Sequence, residues 1–345
     1  MQEKKSFVGQ IYDLPQREKL DNLDKEILYL LSINSRFSLS YIGKKLNVSR
    51  EVVYYRIENL KQKKILNGFF TIIDSNKINL KITLLCIKIR KFDNFNNVIE
   101  ELVKIKEINR VQACGGRWDL RVFITHKNND EFENIFNKLM KTYGDLIHDY
   151  VVLSIEKEKY LGLKLLVDRK DSFKKQNYRI NKSSFYKELN VEISESGFDE
   201  TDLKILEILQ HNARINIKEI GDKINYSRTA VENRLKKLTK SKIIKGFIPM
   251  ISLSFLGFQW HKILFKIKNI DEKKFLSYMK TLRCVPWYMK FKGDWNYQIS
   301  VFSKNNAHFY NILNSIRTKF SEEIITCDSL VVFNQYKFDI NLTQV

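Results

Sequence analysis

Asn233 and Lys236 stand three residues apart in a stretch where Val231, Leu235 and Leu238 repeat with helical spacing. An amide and an ammonium therefore leave the outward side of one helix, together with Thr229 and Glu232. An Asn side chain donates and accepts in one plane and so can pair bidentately with an adenine edge, while an ammonium can meet phosphate or guanine. A second stretch, with Val53, Ile57 and Leu60 as its apolar stripe, projects Glu51, Tyr54, Tyr55 and Glu58. Its two carboxylates would repel phosphates unless one accepts from a cytosine amine, so the two faces should not read the same half-site. Arg50 and Arg56 flank the first stripe and Arg228 and Arg234 the second. Phosphate contact is the natural role there, and an ion pair bracing the fold is the rival for Arg56 and Arg234. Ser49 and Ser227 sit where a helix N-cap is needed.

This is recognition chemistry rather than bond-making chemistry. The five histidines are scattered without a motif, no serine, cysteine or paired-carboxylate constellation suggests hydrolysis, and no G-x-x-x-x-G-K loop suggests nucleotide binding. Cys86, Cys114, Cys284 and Cys327 form no C-x-x-C pair, which argues for buried thiols over zinc or disulfides. No catalytic residue, metal or cofactor is expected.

The two stretches belong to a duplication. Residues 21–69 recur at 199–247 with a constant offset of 178 and no gap, and 20 of the 49 positions are identical. So long a period marks a duplicated domain rather than a short solenoid repeat. Each copy reads as a helix-turn-helix. Ile27, Leu28, Leu30 and Leu31 make the stripe of a first helix capped by Asp21. Leu39, Ile42 and Leu46 make a second, in which Gly43 permits close helix approach, and Ser49 starts the third. Ile217, Ile220 and Ile224 keep the pattern in the other copy. Ile65–Ile73 and Ile243–Ile251 read as short strands forming a wing in each copy.

Downstream of each unit the order strand, helix, strand, strand, helix, strand predicts a βαββαβ sandwich, a four-stranded antiparallel sheet with two helices on one face. The fold class is α+β, two winged helix-turn-helix domains alternating with two ferredoxin-like βαββαβ sandwiches. The partition is an N-terminal tail (1–19), winged helix 1 (20–73), sheet domain 1 (74–167), a Lys-, Asn- and Ser-rich linker (168–197), winged helix 2 (198–251) and sheet domain 2 (252–345). A linker of that kind spans on the order of 30 Å, comparable to the roughly 34 Å between half-sites one helical turn apart. The sheet domains can pair face to face as an internal pseudo-dimer, and a homodimer with four heads is the larger possibility.

Composition agrees. Lys and Arg outnumber Asp and Glu by 60 to 40, a net charge of +20 that attracts polyanions. Biased Lys-, Asn- and Ile-rich usage is the bland source of part of that excess. Apolar runs are too short to span a bilayer, and Met1–Gln10 lacks the apolar core of a secretory signal, so the chain is expected in the cytoplasm, on the nucleoid, away from membranes.

The sequence elements Asp21, Asp24, Asn34, Arg36, Gly43, Ser49, Arg56, Ile65 and Gly68, followed by a G-x-W-D turn at Gly116, Trp118 and Asp119, resemble the leucine-responsive regulatory protein (Lrp/AsnC) family of prokaryotic transcriptional regulators. The resemblance covers nearly the whole chain twice, whereas members of that family usually carry one unit and dimerise through the sheet domain. It implies a sequence-specific regulator that binds double-stranded DNA. It also implies an amino-acid effector near Gly116, Trp118 and Asp119, better held in the first copy because Asn296 replaces the carboxylate in the second; the plain alternative is that these residues only turn and pack the sheet. Siroheme decarboxylases resemble this family in their two-domain unit and give an enzyme alternative. A non-specific DNA-coating protein is the third reading.

Overall fold

A computed structural model describes residues 19–92, 95–167, 197–340 and 342. The tail expected at 1–19 and the linker at 168–197 lie, but for Lys19 and Gly197, outside the described residues. The chain folds as two units, each drawn from both copies of the repeat: Leu20–Ile78 with Leu165–Ile251, and Asn79–Lys164 with Ser252–Val345.

In the first unit, helices α1 (Asn22–Ile33), α2 (Leu39–Leu46) and α3 (Arg50–Gln62) precede strand β1 (Leu66–Ile73). The second copy repeats them as α6 (Glu200–His211), α7 (Ile217–Ile224), α8 (Arg228–Lys240) and β6 (Ile244–Ile251). Asp21, Ser38 and Ser49 each accept a backbone N–H three residues on, and Ser227 does the same in the second copy. The turn after α2 puts Asn47 in the left-handed region (φ 56), and Asn225 matches it (φ 58), conformations that asparagine tolerates better than most residues. Gly43 answers to a backbone oxygen rather than to a neighbouring helix: a Cβ there would sit 2.6 Å from the Val48 carbonyl, and Gly221 faces the Tyr226 carbonyl in the same way.

The strands expected to make wings are present, and each finds its partner in the other copy. β1 and β6 form a two-stranded antiparallel sheet in which Phe69 faces Pro249, Phe70 faces Ile248 and Thr71 faces Phe247. Phe70 and Ile248 are themselves equivalent by the offset of 178, so a pseudo-twofold axis passes through that pair. The contacts of residues 35–37 and 213–215 obey it, whereas Thr71 Oγ1 donating to the Leu209 carbonyl (2.8 Å) and the Lys245–Asp74 ion pair (2.9 Å) are not repeated in kind, since Pro249, Asn67 and Ser252 hold the equivalent positions. Ser35 N–H donates to the Phe247 carbonyl (2.8 Å) and Ala213 N–H to the Phe69 carbonyl (3.0 Å). Arg36 Nη1 donates to the carbonyls of Ala213 (2.7 Å) and Ile215 (3.3 Å), and Arg214 Nη1 to those of Ser35 and Phe37 (3.1 Å). Each guanidinium also lies over a phenylalanine of the opposite copy, Phe247 and Phe69 respectively.

The second unit holds β2 (Lys81–Ile89), α4 (Phe95–Lys104), β3 (Ile108–Gly116), β4 (Leu120–His126), α5 (Asn129–Tyr143) and β5 (Ile147–Tyr160). Its second half holds β7 (Gln259–Ile267), α9 (Glu272–Thr281), β8 (Trp287–Lys292), β9 (Tyr297–Ser303), α10 (Asn306–Lys319) and β10 (Ile324–Phe338). Strand order β3-β4-β2-β5 is that of the split βαβ sandwich, and β10-β7-β9-β8 repeats it. The two sheets do more than face each other: β5 pairs with β8 and β10 with β3, closing eight strands into a barrel that leaves neither sheet an open edge. Alternation sorts the side chains. Leu85 and Ile87 point to the helices α4 and α5, while Leu84 and Cys86 join Trp118, Phe123, Leu264, Phe291, Trp295 and Val332 between the sheets. Arg121, fully buried there, donates to Gln112 (2.7 Å) and to Gln298 (2.5 Å) of the other half.

Of the histidines, His126 is satisfied by Thr83 and the Asn128 carbonyl, whereas His261 is buried against the Phe309 ring with Nε2 unpartnered. Burial pulls the His261 imidazole down to about 4. The folded chain thus refuses a proton that the unfolded chain accepts below about pH 6.5. Stability from this group is complete above that pH and is lost as pH falls toward 4, by up to about 3 kcal/mol. The midpoint of urea unfolding is expected to fall between pH 7 and 5, and His261→Phe to flatten that fall; an unchanged slope in the variant rejects the assignment.

Candidate nucleic-acid interface

The stripe Val53, Ile57 and Leu60 packs α3 inward, and Val231, Leu235 and Leu238 do the same for α8. The opposite side is open. Tyr54 and Tyr55 are 57% and 68% exposed, and Ser49, Arg50 and Glu51 are exposed with them. On α8, Ser227, Arg228, Thr229 and Asn233 are exposed and Lys236 is half-buried. Both expected faces therefore exist as surfaces at the start and middle of a helix. Ser49 and Ser227 already accept from the N–H of Val52 and Ala230, both at 3.2 Å, so each hydroxyl keeps its own proton and one lone pair for an outside partner. Arg228 reaches Glu232 one turn on (2.9 Å), and Glu58 holds Lys61 (2.8 Å). Those two acids are thereby partly neutralised, at the small energies typical of exposed pairs.

For Arg56 and Arg234 the structure realises the ion-pair alternative. Arg56 Nη1 lies 2.5 Å from Asp21 and 3.3 Å from Asp24, pinning α3 to the start of α1. Arg234 Nη1 lies 2.7 Å from Asp199 and 2.9 Å from Asp202. The bracing role wins because the carboxylates at both positions of the first helix converge on one guanidinium donor, and Asp202 is wholly buried. Burial raises Asp24, helped by the neighbouring Asp21 charge. Asp21 resists its own burial because the Asp24 amide and Arg56 hold its carboxyl below the usual range. The two arginines brace α3 and α8 against the first helix of their own copy.

Gly116, Trp118 and Asp119 meet at the end of β3 as expected. Gly116 takes φ +120, matched by Gly293 at +138, a region open to glycine. Trp118 is 2% exposed in the inter-sheet core, and Arg117 lies over both its ring and that of Trp295. The Asp119 carboxylate accepts from the Ile89 N–H (2.8 Å) and from Lys88 Nζ (3.0 Å). Asn296 does the same work, accepting from the Ile267 N–H (2.9 Å) and returning a bond to the Ile267 carbonyl (2.6 Å). The acid in one copy and the amide in the other thus both staple a turn to the first strand of their sheet. The exchange of acid for amide leaves this staple in place in both copies. Sequence reasoning also gave no role to Arg36 and Arg214: their partners are backbone carbonyls of the other copy, and the N-x-R repeat was the one available signal.

Two helix-turn-helix modules, joined about a pseudo-twofold and accompanied by a duplicated βαββαβ barrel, define a helix-turn-helix regulator with its dimer folded into one chain. The description of the AsnC-type helix-turn-helix domain matches residues 20–61 and again 198–239. The HTH-type transcriptional regulator LrpB of Bacillus subtilis (strain 168) is 30% identical over 119 residues, 34% of this chain and 80% of that protein. The HTH-type transcriptional regulator FL11 of Pyrococcus furiosus is 26% identical over 140 residues, 40% of this chain and 93% of that protein. The chain belongs to the Lrp/AsnC family. The siroheme decarboxylase NirDL superposes over 92% of this chain and 93% of its own with a TM-score of 0.61 at 12% identity, a likeness of fold.

Proposed function

We infer that this chain is a DNA-binding transcriptional regulator that presents α3 and α8 as two heads to the major groove of double-stranded DNA. The observation that carries the reading is the pair of outward faces on helices that are capped, packed on their inner stripe and tied into one unit by β1 and β6. A third helix with its N-terminal residues exposed is the geometry in which such helices reach base edges. Ser49, Arg50, Glu51, Tyr54 and Tyr55 form one reading surface and Ser227, Arg228, Thr229, Asn233 and Lys236 the other. The charge of +20 supplies the long-range attraction to phosphates. Among the described residues no helix is long and apolar enough to cross a membrane, and the place proposed for the chain is the nucleoid in the cytoplasm. Fluorescence anisotropy with genomic fragments at two salt concentrations tests the reading. Binding that persists on preferred fragments at the higher salt supports it, whereas loss on every fragment alike favours a coating protein.

The enzyme alternative draws on the fold shared with NirDL, a protein also solved with an iron-uroporphyrin III analogue. Between the sheets lie apolar side chains, the Gln112–Arg121–Gln298 bridge and the buried Lys262, which donates to Ser300 (2.6 Å), so these polar groups already have partners within the chain. Titration with siroheme, followed by its visible absorption, separates the two: a saturating spectral change favours the enzyme.

An amino-acid effector belongs to the proposal, with Asp119 as part of the turn rather than the holder of an ammonium. Asp119→Asn is expected to leave calorimetric heats for any amino acid in a panel unchanged, because Asn296 already fits the same staple. Asp119→Ala strands the Ile89 N–H and should cost about 1–3 kcal/mol of stability. Heats abolished by Asp119→Asn would return the carboxylate to the ligand.

A further inference from the structure

We propose that one chain recognises a single non-palindromic operator in a fixed orientation, with the α8 head anchoring and the α3 head reading the unlike half. This rests on the major-groove reading above and specifies its partner.

The frame of the first unit is symmetric and its faces are not. The groups at the centre of the frame recur by the offset of 178: Arg36 and Arg214 exchange carbonyl bonds between the copies, Phe70 pairs with Ile248 on the axis, and within each copy Asp21 with Asp24 and Asp199 with Asp202 hold Arg56 and Arg234. The heads are therefore related as the two halves of a dimer would be, which suits half-sites arranged about a dyad. At the four outward positions nothing is shared: Glu51 against Thr229, Tyr54 against Glu232, Tyr55 against Asn233, Glu58 against Lys236. A homodimer cannot make this combination, because its two heads carry the same residues.

The chemistry of the halves follows. Asn233 is exposed and suited to adenine N6 and N7, and Lys236 to guanine or phosphate. Tyr54 and Tyr55 offer exposed ring faces to thymine methyls, and Glu51 can accept from a cytosine amine. Charge separates the helices as well. Five cations and one acid lie on Arg228–Lys240, three cations and two acids on Arg50–Gln62, a net +4 against +1. Phosphate attraction, which carries no sequence information, is concentrated on α8. The α3 half then contributes mainly discrimination.

The test selects duplexes from a random library with the full chain, then compares the selected site with its two palindromised forms, each half-site doubled, by anisotropy at one salt concentration. The selected site is expected to be asymmetric and to bind at least about tenfold more tightly than either palindrome. A swapped chain carrying Glu51→Thr, Tyr54→Glu, Tyr55→Asn and Glu58→Lys, all surface changes, should prefer the palindrome of the α8 half-site by a similar factor. If the wild-type chain selects palindromes, or binds the three duplexes equally, the inference is wrong while the DNA-binding reading stands. If it selects no duplex at all, the major-groove reading falls and this inference with it. Wild-type selection decides the matter even should the swapped chain fail to fold.

Discussion

Alanine at both Arg36 and Arg214 is expected to destabilise the helix-turn-helix unit by about 5 kcal/mol, more than the sum of the single replacements at about 2 kcal/mol each. Each guanidinium donates to two carbonyls of the opposite copy, and bonds from a charged donor are worth about 1.5–3 kcal/mol. The cost of placing the charge there offsets part of that: Arg36 is held down to about 10, first by burial and second by the charge of Arg214. Removing either arginine relieves the other of that repulsion and so makes each single loss smaller, which is why the double replacement exceeds the sum of the two. A double-mutant cycle in urea reads the coupling directly. Additive losses would show that the two charges do not feel each other, and losses near zero would show that β1 and β6 hold the heads unaided. The same double variant should bind isolated half-sites nearly as well as the wild type and lose affinity for the full operator, since the exchange fixes one head against the other.

That arrangement marks the boundary of what the sequence makes legible. Helices α1, α2, α3 and their repeats are readable because capping residues and apolar stripes are local signals. Asp21, Ser38 and Ser49 each cap within three residues, and Val53, Ile57 and Leu60 announce an inner side by spacing alone. The βαββαβ order is readable for the same reason. Partner choice is not local. Leu66–Ile73 has the alternation of a strand in any pairing, and nothing in its own residues says that it will meet Ile244–Ile251 rather than fold back as a hairpin. The closure of the barrel through β5 with β8 and β10 with β3 is hidden likewise, because edge pairing uses backbone groups that every sequence carries. In the site the outward tyrosines and Asn233 were legible from the inner stripe. Arg56 and Arg234 were not assignable, since phosphate contact and ion pairing ask for the same side chain at the same place; only the positions of Asp24 and Asp202 decide it. Asp119 is open for a related reason: a carboxylate in a glycine turn suits an ammonium and a backbone N–H equally well, and its sequence position does not show that the Ile89 amide donates to it.

Replacing Asn233 and Lys236 together by alanine is expected to weaken operator binding by roughly a hundredfold, against roughly tenfold or less for Tyr54 and Tyr55 together. A bidentate amide–adenine pair is worth about 1–3 kcal/mol of discrimination, and truncation leaves the base edge without a partner in a partly dehydrated groove. Lys236 adds a charge contact whose loss should lower the slope of log affinity against log salt by about 1. The tyrosines are mostly exposed and carry no charge, so their contribution is apolar contact, and each retains Glu51 beside it as a phosphate-repelling neighbour. The two effects separate in kind as well as in size. The Asn233→Ala change should relax preference at one position of the site while leaving the salt slope intact; the Lys236→Ala change should reduce binding to all duplexes and flatten the slope. Titrations run at two salt concentrations on the selected site and on one scrambled duplex distinguish them. A larger loss from the tyrosine pair would move the anchoring role to α3 and reverse the assignment of the two heads.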